Sequence, residues 1–253
     1  MFTSVYALTM TVIAQIKQTD QIEQLEQLMA HYCQDIQLDY YMFSLYRVES
    51  LVQPEIFMLD HYPVGWCDYY HEQNFYLNDP ITAYCFEHVV PIFWDELILM
   101  PDFQDARYHV MFEQARRFGM HSGLSIPLST TFGFKGIFNL ATQSQSVQSR
   151  ALLNQLCPYI LLLSTHLMQW FQQYQILHTS KEPLKQPLTQ REYECLFWAC
   201  EGKSSWDISK ILGVSERTII FHLNHVMIKL GVNNRQHAVA KGLLTQLIRP
   251  QFK

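Results

Sequence analysis

The chain has 253 residues, enough for two domains, and its 49% hydrophobic and 14% aromatic content excludes a disordered or fibrous polymer. Its net charge of -5 is unevenly placed: residues 1–183 hold 8 Lys+Arg against 18 Asp+Glu, and residues 184–253 hold 10 against 5. Only the C-terminal part suits a polyanion, so the two parts are expected to meet different partners.

The opening stretch, "MFTSVYALTMTVIAQIKQTD", is apolar but has neither a basic n-region nor a clear cleavage site. No stretch reads as long and apolar enough to span a bilayer, so a cytoplasmic protein with no membrane partner is expected. "DQIEQLEQLMAHYCQDI" (20–36) puts Ile22, Leu25, Leu28, Met29 and Tyr32 on one helical face. "YYMFSLYRV" and "PEIFML" follow as aromatic and β-branched strands across a polar connection. "HYPVGWCDYYHEQNF" turns at Pro63 and continues as a helix. In "NDPITAYCFEH" Asp79 is a natural N-cap, with proline at the first helical position. "VVPIFW" reads as a short strand, and "ARYHVMFEQARRFG" as an amphipathic helix ending at Gly119. "HSGLSIPLST" and "GFKGIFNLAT" form a strand pair around "TTFG". "SRALLNQLCPYILLLSTHLMQWFQQYQIL" is a long helix, apolar nearly all round, suited to burial against a sheet or a second subunit.

Strands flanked by helices predict an α/β/α sandwich with a mainly antiparallel sheet over 1–177, hence an α+β chain. "HTSKEPLKQP" (178–187), with two prolines and little apolar content, predicts an interdomain linker. Over 188–253 the pattern changes to four helices. A Thr189…Glu192 capping box opens the first, Ser204 or Ser205 and Ser215 cap the second and third, and Gly213 and Gly231 stop them. This is the layout of a tetrahelical helix-turn-helix domain.

The third of these helices, "SERTIIFHLNHVMIKLG", has a buried stripe of Ile219, Leu223, Val226 and Leu230. Arg217, Ile220, Phe221, Asn224 and Ile228 point away from it. A helix entering the major groove presents its early turns to base edges and its flanks to phosphates. Ser215, Arg217, Thr218, Ile220, Phe221 and Asn224 are therefore candidates for groove contact, with Ile220 offering only an apolar face. Lys203, Lys210, Lys229 and Arg235 are candidates for phosphates. Six cysteines show no paired framework and no C-x-x-C spacing. Cys67 and His71 stand four apart without a second ligand pair, so no metal and no cofactor are expected.

"LTQREYECLFWACEGKSSWDISKILGVSERTIIFHLNHVMIKLGVNNRQHAVAKGLL" resembles the DNA-binding domain of the LuxR-type quorum-sensing regulators, with Glu192, Leu196 and Gly202 at its characteristic positions. Tyr62, Trp66, Tyr70, Asp79, Pro80 and Trp94, with Gly123 beyond, match the pattern of the acyl-homoserine-lactone receptors of that family. Singly, each has a plainer role, since Trp66 and Tyr70 make an i,i+4 core pair and Asp79 a helix cap. Together, in this order and spacing, they fit the family.

The resemblance implies a homodimeric transcriptional activator that binds an N-acyl-homoserine lactone, pseudo-palindromic double-stranded DNA and RNA polymerase. It also implies roles: Trp66 donating to the lactone carbonyl, Asp79 accepting from the amide N–H, Tyr62 donating to the amide carbonyl, Tyr70 orienting Asp79, and Trp94 walling the lactone ring. Where the family often carries a small hydroxyl residue on the last sheet strand, this chain has Asn139. Tyr41, Phe43, Leu45 and Ile126 are the expected acyl-tail contacts. Two rival readings are a family member that ignores lactones or senses another signal, and a lactone hydrolase fused to a DNA-binding domain. The hydrolase finds no G-x-S-x-G elbow, metal-ligand cluster or Ser/His/Asp set in a familiar order, so no enzyme is expected.

Overall fold

The computed structural model describes residues 2–47, 55–129, 134–178, 187–245 and 247–249. These form two compact units, the larger part of the second lying after residue 178. Most of the expected linker, 179–186, and the "TTFG" turn lie outside the described residues.

In the first unit the elements run α1 (Phe2–Ile16), α2 (Ile22–Asp35), β1 (Tyr40–Arg47), β2 (Glu55–Asp60), α3 (Trp66–Glu72), α4 (Pro80–Glu87), β3 (Ile92–Phe93), α5 (Trp94–Leu97), α6 (Ala106–Arg117), β4 (Ser122–Ser129), β5 (Phe134–Thr142) and α7 (Val147–His178). The five strands make one antiparallel sheet in the order β2-β1-β5-β4-β3. The sequence reading did not foresee α1. "VVPIFW" pairs only through Ile92 and Phe93, because Trp94 already begins α5.

Strand alternation divides the sheet between two cores. On one side Tyr41, Phe43, Leu45, Ile126, Phe138 and Leu140 pack with α1, α2 and the inner stripe of α7. Thr9 of α1 is buried here because its hydroxyl is satisfied twice, by Val5 O at 2.8 Å and the Tyr32 hydroxyl at 2.7 Å. On the other side Ile137 and Ala141 join Trp66, Trp94, Phe112 and Met120. This corrects the acyl-tail expectation: Tyr41, Phe43, Leu45 and Ile126 lie in the first core, on the face away from the cavity described below. The reading was one residue out of phase, which in a strand exchanges the two faces.

By length and composition alone, Val147–Tyr174 is long and apolar enough to cross a membrane, contrary to the sequence reading. Its apolar character serves the core instead, through Leu153, Leu156, Ile160, Leu163 and Leu167, all buried. Arg150 ties this helix to β3 and α5, its guanidinium pairing with Asp95 and Glu96 and lying 4.1 Å over the Phe93 ring.

The second unit comprises α8 (Gln190–Cys200), α9 (Ser205–Leu212), α10 (Glu216–Leu230) and α11 (Arg235–Leu244). The caps read from sequence form as expected: Thr189 and Glu192 make a reciprocal box, Ser204 and Asp207 a second, and Ser215 accepts from the Thr218 N–H. Gly213 ends α9 at φ +68°, a conformation glycine adopts without a Cβ penalty, and the short turn into α10 depends on it.

Candidate functional site

Between the sheet and helices α3, α4 and α6 lies a cavity of about 290 Å³. Its walls are mainly apolar, and Tyr62, Trp66, Tyr70, Asp79, Trp94 and Asn139 all face it. The six residues singled out from sequence for ligand binding are thus brought together. β1 contributes Met42, Ser44 and Tyr46, the face opposite to the expected tail contacts.

Asp79 gains its position by capping α4. Its Oδ1 accepts from the Ile81 N–H at 2.8 Å and the Thr82 N–H at 3.4 Å, and its Oδ2 from Tyr70 at 2.9 Å and the Thr82 hydroxyl at 3.0 Å. Burial nevertheless pushes its pKa above the usual carboxylate value, outweighing these four donors, with no cation among the described residues to offset it. What surface the residue keeps faces the cavity. Tyr62 and Tyr70 are raised in turn, first by burial and next by the Asp79 charge, so both hydroxyls stay protonated donors.

Trp66 opens α3 after Gly65 and is 4% exposed, gripped by Phe118, Phe75 and Tyr70. Among the described residues none accepts from its indole N–H. A buried donor left unmatched on a cavity wall is costly, and a ligand carbonyl is the group that relieves it. Trp94 has a different role: its N–H is already given to Ser125 at 2.9 Å, so only its ring faces the cavity. Ser44, Thr82 and Ser125 were missed by the sequence reading. Thr82 carried a signal, three residues after an N-cap, whereas Ser44 and Ser125 are single hydroxyls in apolar strands whose partners are remote in sequence.

On the second unit, Ile219, Leu223, Val226 and Leu230 are buried while Arg217, Ile220, Phe221, Asn224 and Ile228 face outward. Ile220 and Phe221 are about half exposed, an apolar pair on an otherwise solvated helix face. The Ser215 and Thr218 hydroxyls are 2.8 Å apart and bond to each other at the start of α10. Lys203 and Lys210 are exposed, the latter with its ammonium 5.4 Å from the Trp206 ring centroid.

Two expected phosphate contacts are engaged elsewhere. Lys229 is turned inward, its ammonium 2.6 Å from Glu192 Oε2 and 3.0 Å from Pro187 O. Arg235 donates to the Lys203 carbonyl and, at 3.5 Å, to the Ser205 hydroxyl, binding the start of α11 to the α8–α9 corner. Both cations are engaged within the unit itself in this structure.

Residues 21–171 match the autoinducer binding domain family, and residues 186–241 the bacterial regulatory proteins of the luxR family. The chain is 33% identical over 246 residues to the transcriptional activator protein LuxR of Aliivibrio fischeri, covering 97% of this chain and 96% of that protein. It is 32% identical over 232 residues to the transcriptional activator AhyR of Aeromonas hydrophila, covering 91% and 88%. Among solved structures, Escherichia coli SdiA in complex with octanoyl-rac-glycerol superposes with a TM-score of 0.74 at 21% identity, over 98% of both chains.

Proposed function

Because the chain belongs to the LuxR family of transcriptional activators, with an autoinducer-binding and a DNA-binding domain, we propose that its signal is an N-acyl-homoserine lactone held in the 290 Å³ cavity. The observation that carries this is the pairing, on one apolar cavity, of an unmatched donor and a buried acceptor: the Trp66 indole N–H and the Asp79 carboxylate. A lactone carbonyl suits the first and an amide N–H the second. Tyr62, with Asn139 beside it, suits the amide carbonyl, and the apolar remainder suits an acyl chain. Trp94 packs its ring against the lactone.

Ligand that binds only the folded first domain stabilises it by mass action, so signal and fold are linked. The functional form is a cytoplasmic homodimer joined partly through α7, whose two α10 helices read the half-sites of a pseudo-palindrome and recruit RNA polymerase. Domain limits of 1–177 and 188–253, with a linker at 178–187, fit this division of labour. Arg217 and Asn224 are the base-reading candidates, Ser215 and Thr218 flank them, and Lys203 and Lys210 remain for phosphates. Ile220 and Phe221 supply apolar contact with the groove, for example to a thymine methyl.

The test of the ligand is extraction. Protein expressed beside a lactone-producing strain and analysed by mass spectrometry releases an intact N-acyl-homoserine lactone. A different bound molecule, an acylglycerol included, overturns the assignment, and a ring-opened or deacylated product favours the hydrolase. For DNA, Ile220→Ala weakens binding at one base position of the specific site and leaves non-specific binding unchanged in competition gel shifts. Equal loss on both kinds of DNA removes Ile220 from base reading.

A further inference from the structure

Behind the cavity wall at Trp94 and Asn139 runs a directed chain of hydrogen bonds through β4. An indole nitrogen only donates, and that of Trp94 donates to the Ser125 hydroxyl at 2.9 Å. With this acceptance made, the Ser125 proton points onward, to the Asn139 side-chain oxygen at 2.6 Å. The two residues stand directly opposite each other in the β4–β5 register, and Ser125 is fully buried, so bulk water does not reach its hydroxyl.

Ser125 has one proton, and that proton goes to the Asn139 side-chain oxygen, so the carboxamide meets β4 as an acceptor. Asn139 must therefore turn its carbonyl to Ser125 and its NH₂ to the other side, where Tyr62 and the cavity lie. There the NH₂ and the Tyr62 hydroxyl line the same cavity, both as donors. The start of the chain is set by shape. A Cβ at Gly123 would lie 2.2 Å from the Trp94 ring, so glycine alone lets the indole rest against β4.

Direction has a consequence peculiar to a carboxamide. A hydroxyl rotates to suit its ligand, but asparagine shows either N–H or C=O, and the wrong face would repel a carbonyl. We infer that Ser125 is a positioning residue that fixes the polarity of Asn139, making this wall a donor surface that selects ligands presenting a carbonyl. The inference rests on the proposed lactone site and deepens it.

The test uses the full chain and a ligand pair: an N-acyl-homoserine lactone and the N-alkyl analogue in which the amide carbonyl is a methylene. Their affinity ratio is measured for the wild type, Ser125→Ala and Ser125→Thr. The ratio is retained in Ser125→Thr, which keeps the hydroxyl, and narrows by about tenfold in Ser125→Ala, the worth of one buried hydrogen bond. If Ser125→Ala weakens both compounds equally, the residue is merely structural and the inference falls. A ligand-free readout separates the two readings. With ¹⁵N-labelled asparagine, the Asn139 NH₂ protons exchange slowly with water in the wild type and Ser125→Thr, and fast in Ser125→Ala. Unchanged exchange in Ser125→Ala overturns the relay. A wild type that binds neither compound overturns the lactone reading, and the exchange rates still decide the relay.

Discussion

Asp79→Ala shifts the lactone dose–response curve of a reporter promoter by roughly 100-fold or more, to the point of abolishing it at wild-type inducing concentrations. A hydrogen bond to a charged acceptor contributes about 1.5–3 kcal/mol, or roughly 10–150-fold in affinity. The substitution does more than remove that bond. It strips the N-cap of α4, worth about 1 kcal/mol, and strands the Tyr70 and Thr82 hydroxyls that now donate to Oδ2. Asp79→Asn separates these effects. Asparagine caps as well as aspartate and keeps one acceptor, so fold is retained while the charge is lost. An unchanged dose–response curve for Asp79→Ala removes Asp79 from the site.

The same residue makes binding depend on pH, with a definite sign. Burial raises the Asp79 pKa above its ordinary 3.8. A raised acid contributes stability that is full below 3.8 and is lost as pH climbs through the raised value. A ligand N–H donated to the carboxylate favours the ionised form and draws that pKa back down. Lactone binding therefore releases a proton in the pH window just below that raised value, and affinity climbs with pH through it before levelling. Calorimetry in buffers of different ionisation heat measures the proton directly, and Asp79→Asn abolishes its release.

What could be read from the residues, and what could not, follows the range of the interactions. Helix limits in the second unit were legible because caps are local: Thr189 with Glu192, Ser204 with Asp207 and Gly213 each declare an end within four residues. The burial of α10 was legible because period 3.6 separates Ile219, Leu223, Val226 and Leu230 from their neighbours. On β1 the same logic failed. Tyr40, Tyr41, Met42, Phe43, Leu45 and Tyr46 are large or apolar on both faces, since one packs a core and the other lines a cavity. A period of 2 then carries no phase, and only Ser44 marks the cavity side. The bonds from Trp94 to Ser125 and from Lys229 to Glu192 span 31 and 37 residues, and no local pattern encodes either. α1 escaped notice for a related reason: it is apolar on most sides and has no acidic residue in its first turn.

Lys229 illustrates how a burial pattern changes the expected phenotype of a basic residue. As a free phosphate ligand it would lower DNA affinity when removed, reduce the salt slope by about one, and leave stability alone. Its place in the structure predicts the reverse. Glu192 is 4% exposed and gives Oε2 to both the Lys229 ammonium and the Thr189 N–H. Burial opposes ionisation of this carboxyl, yet Lys229 and Thr189 together hold it below its ordinary 4.5. Lys229→Ala takes away that carboxylate's lysine partner, leaving it the Thr189 N–H at 2.7 Å and the His225 ring 3.9 Å away, a loss that approaches the roughly 3–5 kcal/mol of a broken buried pair. The Glu192→Gln, Lys229→Met double variant removes both charges and regains most of the loss, because desolvating the pair offset much of its attraction. A lowered carboxyl pKa contributes stability above pH 4.5 that is lost as pH falls through the lowered value. The gap between wild type and double variant therefore shifts towards the double variant in acid. Hydrogen exchange of the α8 and α10 amides in the full chain reports all three quantities. A Lys229→Ala protein with wild-type protection and a reduced salt slope on DNA would return this lysine to the phosphate contacts.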